Sequence, residues 1–389
     1  MVQHVYIIGS KGIPARYGGY ETFVEHLTAG KKRTGIMYHI AARTDNSNYS
    51  DHETFIYNNA QVFTIKVPEI GPAQAILYDL MALRWAINDA KQNSYERPIF
   101  YILACRIGPF IGHFLKEIHR ISGRYYLNPD GHEWKRAKWS VPVRHYWRVS
   151  ERLMVKRADL VICDNRKIEE YIRREYTSYK PKTIYIAYGT DIQPSSLTQH
   201  DEEVKQWYKK HQTQLNGYFL IVGRFVPENN YETMIREFMK STTDKDLVIV
   251  TDVKKNKFYN SLTRKTCFDR DKRIKFVGTV YNQEMLKFIR ENAYAYIHGH
   301  EVGGTNPSLL EALSSTHLNL LVDVDFNRDV AQEAALYWTK DVGNLAKLID
   351  SVDTYSQDTI NDLGERALSI VKREFTWPYI IQKYEDLFV

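Results

Sequence analysis

The sequence predicts an α/β protein made of two Rossmann-like, doubly wound halves. Short apolar runs suited to buried strands alternate with amphipathic helical stretches, the rhythm restarts near Tyr188–Asp191, and each half carries glycine-rich loops directly after an apolar run. Alternation of this kind argues for parallel sheets covered by helices on both faces. At 389 residues the chain is also long for a single core and fits two domains of roughly 150 to 200 residues each. The expected division is 1–188 and 189–370.

In the first half, Val5–Ile8 reads as a short buried strand, and GSKGIPARYGGYETFVEHL follows as a long glycine-rich turn feeding a helix from about Glu21. Strand, phosphate-type loop and helix in that order open a doubly wound fold. Gly9 and Gly12 are three apart, and Gly18 and Gly19 come too late for the dinucleotide fingerprint, so NAD binding is disfavoured. The loop also carries Lys11 and Arg16, two cations suited to a diphosphate. Further strands are expected at Met37–Ala42, Val62–Val67, Ile99–Leu103, Tyr125–Leu127, Leu160–Cys163 and Thr183–Ala187, with helices such as Ala75–Asn88 and Val143–Lys156 between them. In the second half the strand candidates are Tyr218–Val222, Leu247–Thr251, Ile274–Val277, Ala293–Ile297 and Asn319–Val322.

Composition narrows the function. A net charge of +6 suits a phosphate-bearing ligand or an anionic membrane surface, yet lacks the concentrated basic face of a nucleic-acid binder, so no nucleic acid is expected. Three widely spaced cysteines, Cys105, Cys163 and Cys267, indicate neither a disulfide framework nor a zinc cluster. A reducing cytoplasm is therefore the expected compartment. The opening MVQHVYIIGSKG has no basic segment followed by a long apolar one, and no run approaches the ~20 apolar residues that span a bilayer. Membrane contact, where it exists, is expected to be peripheral.

Candidate chemistry is densest in YIHGHEVGGTNPSLLEAL, residues 296–313. A strand end runs into a loop with Gly303 and Gly304, Thr305 or Asn306 serves as N-cap, and Pro307 opens a helix. Glycines let backbone approach a ligand, and the free N–H groups and dipole of a helix N-terminus attract phosphate. Glu311, one turn in, suits a sugar hydroxyl beside that phosphate. A glycine-rich turn before a core helix is the plain alternative. In GRFVPENN, residues 223–230, Gly223 ends a strand and Arg224 can grip a diphosphate bidentately or serve a surface ion pair. In NPDGHEWKRAKW, residues 128–139, Asp130, His132 and Glu133 fall where open sheets bind ligands, although Asp-Gly is also an ordinary turn. Trp134 and Trp139 beside those carboxylates and cations suit sugar stacking and headgroup contact. From Lys135 to Arg157 the chain is rich in Lys and Arg with interleaved aromatics, which fits a membrane surface or a solvated helix face.

These residues resemble a known family. GRFVPENN, FVGTV at 276–280 and GGTNPSLLEA at 303–312 look like the nucleotide-sugar domain of GT-B glycosyltransferases of family four. GSKGIPARYGGYETFVE, NPDGHEWKRAKW and the final FTWPYIIQKYEDLF are similar, more narrowly, to streptococcal-type L-rhamnosyltransferases of capsule and cell-wall polysaccharide synthesis. Two departures stand out: Gly303 occupies the place of the family's first glutamate, and Asn229 the place of a lysine. The resemblance implies two domains facing a cleft, with a C-terminal helix, 371–389, crossing back to the first. It implies Glu311 on the nucleotide ribose and Arg224 on the diphosphate, with Asn229, Gly303, Gly304, Thr305 and Asn306 completing the donor site. In the first domain it sets Gly18 and Gly19 against the diphosphate and makes Asp130 or His132 a candidate near the reacting carbon. Glu133, Trp134, Lys135, Arg136, Lys138 and Trp139 fall to the acceptor and membrane side. The implied activity is retaining transfer of L-rhamnose from dTDP-L-rhamnose to a lipid-diphosphate-linked glucose or N-acetylglucosamine through a β-1,4 linkage, without metal or other cofactor, on the inner face of the plasma membrane. Another nucleotide-sugar donor, or a noncatalytic binding protein, is the alternative.

Overall fold

The computed structural model describes residues 2–16, 18–136, 139–253 and 256–389. The chain divides into two compact units, Met1–Gly189 with Trp377–Val389, and Thr190–Thr376. The sequence reading broke the last helices at residue 370, but the helix Gln357–Glu374 runs on without interruption and the next begins at Trp377.

The first unit holds a sheet of eight strands: β1 (Gln3–Ile8), β2 (Ile36–Arg43), β3 (Thr54–Tyr57), β4 (Ala60–Ile65), β5 (Ile99–Leu103), β6 (Arg124–Asn128), β7 (Leu160–Cys163) and β8 (Thr183–Tyr185). Their order is β3-β4-β2-β1-β5-β6-β7-β8. The strands from β4 to β7 in that order are apolar and largely buried, the edge strand β8 is half-buried, and all of them pair in parallel. β3 was missed. It lies antiparallel on β4 at the sheet edge, joined through Asn58 and Asn59 at φ 45° and 59°, the two left-handed residues of a tight hairpin turn.

The last helix, Trp377–Phe388, belongs to this unit, as the resemblance implied. Tyr384 and Phe388 are fully buried, and the buried Glu385 accepts hydrogen bonds from the backbone N–H groups of Lys32 at 2.7 Å and Arg33 at 3.2 Å. That carboxylate ties the chain's end to the turn before β2.

The second unit holds β9 (Tyr218–Val222), β10 (Asp246–Val250), β11 (Ile274–Gly278), β12 (Ala295–His298), β13 (Asn319–Val322) and β14 (Leu336–Trp338) in the order β11-β10-β9-β12-β13-β14, all parallel. β14, only three residues long, was also missed. Phe219, Ile221, Ile235, Phe238, Leu320, Trp338 and Ile349 form the core between the sheet and the helices on one face. No helix among the described residues is long and apolar enough to cross a membrane.

Replacing Glu385 by Ala removes the acceptor of two backbone donors in the turn before β2, and each lost bond to a charged acceptor is worth about 1.5 to 3 kcal/mol. Urea unfolding followed by tyrosine fluorescence is expected to show a destabilisation of about 3 kcal/mol; a midpoint equal to that of the parent protein would remove this tie from the account.

Candidate active site

In an open parallel sheet, two neighbouring strands whose connections leave in opposite directions open a crevice at their carboxyl ends. In the second unit that point lies between β9 and β12, and the two glycine-rich segments singled out above are the loops that leave those two strands. The loops are stitched together. Asn229 donates from Nδ2 to the Arg224 carbonyl at 2.7 Å and accepts from His300 Nδ1 at 2.7 Å, while Asn230 donates to the Gly299 carbonyl at 2.8 Å. A Cβ on Gly299 would stand 2.4 Å from the Asn229 carbonyl oxygen, so glycine is required for this approach. Asn229, assigned above to the donor, thus has both polar side-chain atoms engaged within the protein.

Asn306 is the N-cap of the helix Pro307–Ser315, its Oδ1 accepting from the Ser308 N–H at 2.9 Å, and Pro307 occupies the first helical position. Thr305, the other cap candidate, is buried in the loop beside Gly303 and Gly304. Gly303 has φ 133°, a left-handed value that a side chain resists. Arg224 is exposed, and among the described residues its guanidinium meets no carboxylate. A free guanidinium on one loop and a proline-opened helix N-terminus on the other make a ready anion site.

Glu311 is ion-paired with Arg290, a buried arginine that the sequence reading passed over. The pair fixes the carboxylate while leaving part of it accessible. Arg290 sits in the amphipathic helix Gln283–Glu291, where an arginine reads as solvated face, so no sequence signal marked it. Glu301 pairs with Lys340. Asp323, half of the formal D-x-D element Asp323-Val324-Asp325, is gripped by Arg328 at 2.5 and 2.8 Å.

In the first unit the reversal of direction lies between β1 and β5. The loop after β1 is anchored by two acids of the helix it feeds: Glu21 accepts from the Lys11 N–H at 2.6 Å and Glu25 from the Ala15 N–H at 2.9 Å. Gly18 has φ 132°, and a Cβ there would lie 2.0 Å from Glu21 Oε2, whereas a Cβ on Gly19 would meet open space. After β5, Arg106 donates to the Gly9 carbonyl at 2.9 Å and to the fully buried Asp79 at 3.1 Å. Burial pushes the Asp79 carboxyl up to about 6, with the Arg106 cation opposing that rise. After β6, Asp130 is half-buried at φ 58° and its Oδ1 accepts from the Gly131 N–H at 2.8 Å.

The neighbours of Asp130 divide. His132 is buried, edge-on to Tyr171 at 4.1 Å, and burial, helped by Lys135 and Arg174, lowers its imidazole to about 4. Glu133 is buried, accepts from Trp139 Nε1 at 2.9 Å and is ion-paired with Arg136 at 2.6 Å, so these three residues brace one another. Trp134 carries Lys135 and Arg148 over its ring at 5.3 and 5.1 Å. Lys138 lies outside the described residues. Along the helix Val141–Val155 and the turn after it, Arg144, Arg148, Arg152 and Lys156 recur every fourth residue, and Arg152 and Lys156 both stand over Tyr179.

Residues 2–191 match a family described as Domain of unknown function (DUF1972). No curated protein sequence matches the chain. Its fold is similar to that of sucrose-phosphate synthase from Thermosynechococcus elongatus, at 17% identity and TM-score 0.76 over 99% of this chain and 98% of that one. Anabaena HepE in complex with UDP is similar at 14% identity and TM-score 0.70, covering 99% of both chains. An E. coli trehalose-6-phosphate protein bound with UDP-2-fluoro glucose is similar at 9% identity and TM-score 0.74, covering 99% of this chain and 98% of that one. The chain has the GT-B fold, two parallel-sheet Rossmann-like domains, as the sequence predicts.

A proton on His132 would have to be held in a buried site beside two cations, so the imidazole is expected to titrate near 4 by NMR. Between pH 6.5 and 4 the unfolded chain binds a proton there that the folded one refuses, so this group makes the protein less stable as pH falls. A midpoint near 6.5 would show that the ring is solvated.

Proposed function

We propose that the chain is a retaining glycosyltransferase that moves L-rhamnose from dTDP-L-rhamnose to a glucose or N-acetylglucosamine carried on a lipid diphosphate, forming a β-1,4 linkage in capsule or cell-wall polysaccharide synthesis. It works without metal at the inner face of the plasma membrane. The observation that carries the reading is the anion site of the second unit, where Arg224 and the Asn306-capped helix flank the reversal point of the sheet. Its support is threefold. The fold is GT-B, the similar HepE and E. coli proteins are bound to UDP and to a UDP sugar, and the motifs of the first unit resemble L-rhamnosyltransferases.

The residues suit the chemistry. As the glycosidic bond breaks, negative charge grows on the departing diphosphate, and Arg224 with the helix N-terminal amides stabilises it without reorganising. The diphosphate then takes the proton of the acceptor hydroxyl on the same face as the short-lived oxocarbenium ion. Glu311, steadied by Arg290, is assigned to the nucleotide ribose, and Asp130 to the sugar. Asp323 is bound by Arg328, which fits a structural role for that acid better than a metal-binding one. A uridine nucleotide sugar is the second donor reading, favoured by the ligands of the similar proteins.

A donor panel tests the reading: turnover of dTDP-L-rhamnose above that of UDP-glucose, undiminished in EDTA, is the expected result. Loss of turnover in chelator, restored by magnesium or manganese, would overturn the metal-free mechanism. Arg224→Ala is expected to lower kcat by about a hundredfold together with donor affinity, the usual scale for losing one donor to developing charge. Unchanged kinetics in a folded variant would clear Arg224 of this role.

The acceptor's lipid cannot leave the bilayer cheaply, since each exposed CH₂ costs about 0.8 kcal/mol, so the enzyme has to dock. Arg148, Arg152 and Lys156 are exposed, Arg148 pairing with Glu175 and Arg152 with the Tyr179 hydroxyl, whereas Arg136 is largely covered against Glu133, which makes the helix Val141–Val155 and the turn after it the better candidate for the lipid-facing surface. Each cation near an anionic surface contributes about 1 kcal/mol, screened by salt. Changing all three to Glu should abolish sedimentation with phosphatidylglycerol vesicles and spare dTDP binding; undiminished sedimentation would move the docking surface elsewhere.

A further inference from the structure

The exposed cations of the helix Val141–Val155 do not stand on a flat surface. His145, Arg148 and Arg152 line one side of a cleft of about 440 Å³, and Glu175, Ser178 and Tyr179, from the end of the helix Arg166–Glu175 and the turn Thr177–Tyr179, line the other. The cleft is held in shape from below. Tyr176, which also lines it, is buried and donates to the buried Glu151 Oε1 at 2.5 Å, and the Tyr171 hydroxyl donates to the same oxygen at 2.7 Å. The Tyr176 ring lies nearly parallel to that of Tyr179, with centroids 6.4 Å apart. Tyr179 in turn positions the cations: its hydroxyl accepts from Arg152 Nε at 2.7 Å, and the Lys156 ammonium stands 5.1 Å from its ring centre. Arg148 is paired at 3.2 Å with Glu175, the one acid lining the cleft. Arg152 gives the protein only its Nε, so its two terminal nitrogens take no acceptor among the described residues. A fixed guanidinium and an ammonium left over after that pairing select an anion. The surroundings say which kind. Val141 and Val149 lie at helical spacing on the same face as these cations and are 77% and 38% exposed. Cations interleaved with bare aliphatic groups suit a helix lying at headgroup level, whereas a receptor for free phosphate has no use for exposed valines.

We propose that this cleft is a discrete receptor for the headgroup phosphate of an anionic bilayer lipid, gripped by the terminal nitrogens of Arg152 with Lys156 beside it and the Ser178 hydroxyl at its edge. A plain stripe of charge attracts any anionic surface and responds only to how many charges it carries. A guanidinium held in one orientation by Tyr179 responds to geometry as well, because its fork matches the oxygens of a phosphate and an ammonium does not. One bound lipid then fixes where the helix Val141–Val155 sits on the membrane, with Val141 and Val149 entering the boundary between headgroups and chains. The bilayer in this proposal rests on the docking reading above; the recognition of a phosphate by the cleft does not.

Two measurements on the full chain separate them. Amide NMR with dihexanoyl phosphatidylglycerol, kept monomeric, is expected to show saturable shifts at residues 145–156 and 175–179. Arg152→Lys keeps the charge and loses the fork, and it should weaken that binding about tenfold. Arg157→Lys, the same exchange at an exposed residue outside the cleft, should leave it unchanged. In sedimentation with phosphatidylglycerol vesicles the two variants are expected to separate in the same way. Arg152 is exposed, so its replacement leaves the fold intact. Equal binding by the parent and Arg152→Lys shows a delocalised attraction and overturns the receptor. Inorganic phosphate that saturates these shifts where the lipid does not makes this a site for soluble phosphate and overturns the lipid assignment. If the parent binds the monomeric lipid in the cleft yet does not sediment with vesicles, the docking reading falls and the recognition of the lipid phosphate stands; if it does neither, both fall.

Discussion

Both candidate sites in this molecule depend on one topological constraint, the reversal of strand order inside each parallel sheet. Between β9 and β12 the chain leaves in opposite directions, so no helix covers the carboxyl ends there and the two outgoing loops face the same opening. Left alone, two glycine-bearing loops would be costly to hold in one geometry. The Asn229–His300 and Asn230–Gly299 hydrogen bonds supply that order from inside the protein, which keeps Arg224 and the Asn306 cap in register before any ligand arrives. Preorganisation of this sort is what lets charge-stabilising groups act without rearranging.

The same constraint in the first unit gathers charge of both signs where water is scarce. Arg106 follows β5 and folds back over the end of β1 onto Asp79, while Asp130 and Asp164 follow the next two strands. Burial then decides protonation, with Asp79 raised to about 6 and His132 lowered to about 4. A neutral imidazole and a retained carboxylic proton are both consequences of desolvation. His132, which motif reasoning set beside the reacting carbon, is thereby a neutral, aromatic-packed group at physiological pH.

Most of the scaffold was legible because buried parallel strands announce themselves as apolar runs; β5, β7, β9 and β13 fall on the residues expected. The elements missed were β3, whose TFIY lies half exposed at a sheet edge beside a two-asparagine turn, and β14, three residues ending in a buried tryptophan. Both are too short for periodicity to register. In the site, residues with a local signature were found: Arg224 after a strand and Asn306 before Pro307. Those whose importance is purely tertiary were not. Arg290 looks like any solvated helix arginine until Glu311 is brought against it, and Arg106 acquires meaning through Asp79, 27 residues away. Glu133, Arg136 and Trp139, a polar-aromatic segment that reads as a contact surface, are also held to one another by a hydrogen bond and an ion pair.

The central claim, that the paired loops of the second unit form a nucleotide-diphosphate site, is tested most directly by amide NMR of the full chain titrated with dTDP. Saturable shifts concentrated at residues 223–226 and 303–308, weakened at least tenfold in affinity by removing the Arg224 guanidinium, are the predicted result, since a charge-assisted bidentate contact is worth more than 1.4 kcal/mol. Shifts confined to the loop after β1, or no saturable shift in either unit, would contradict it.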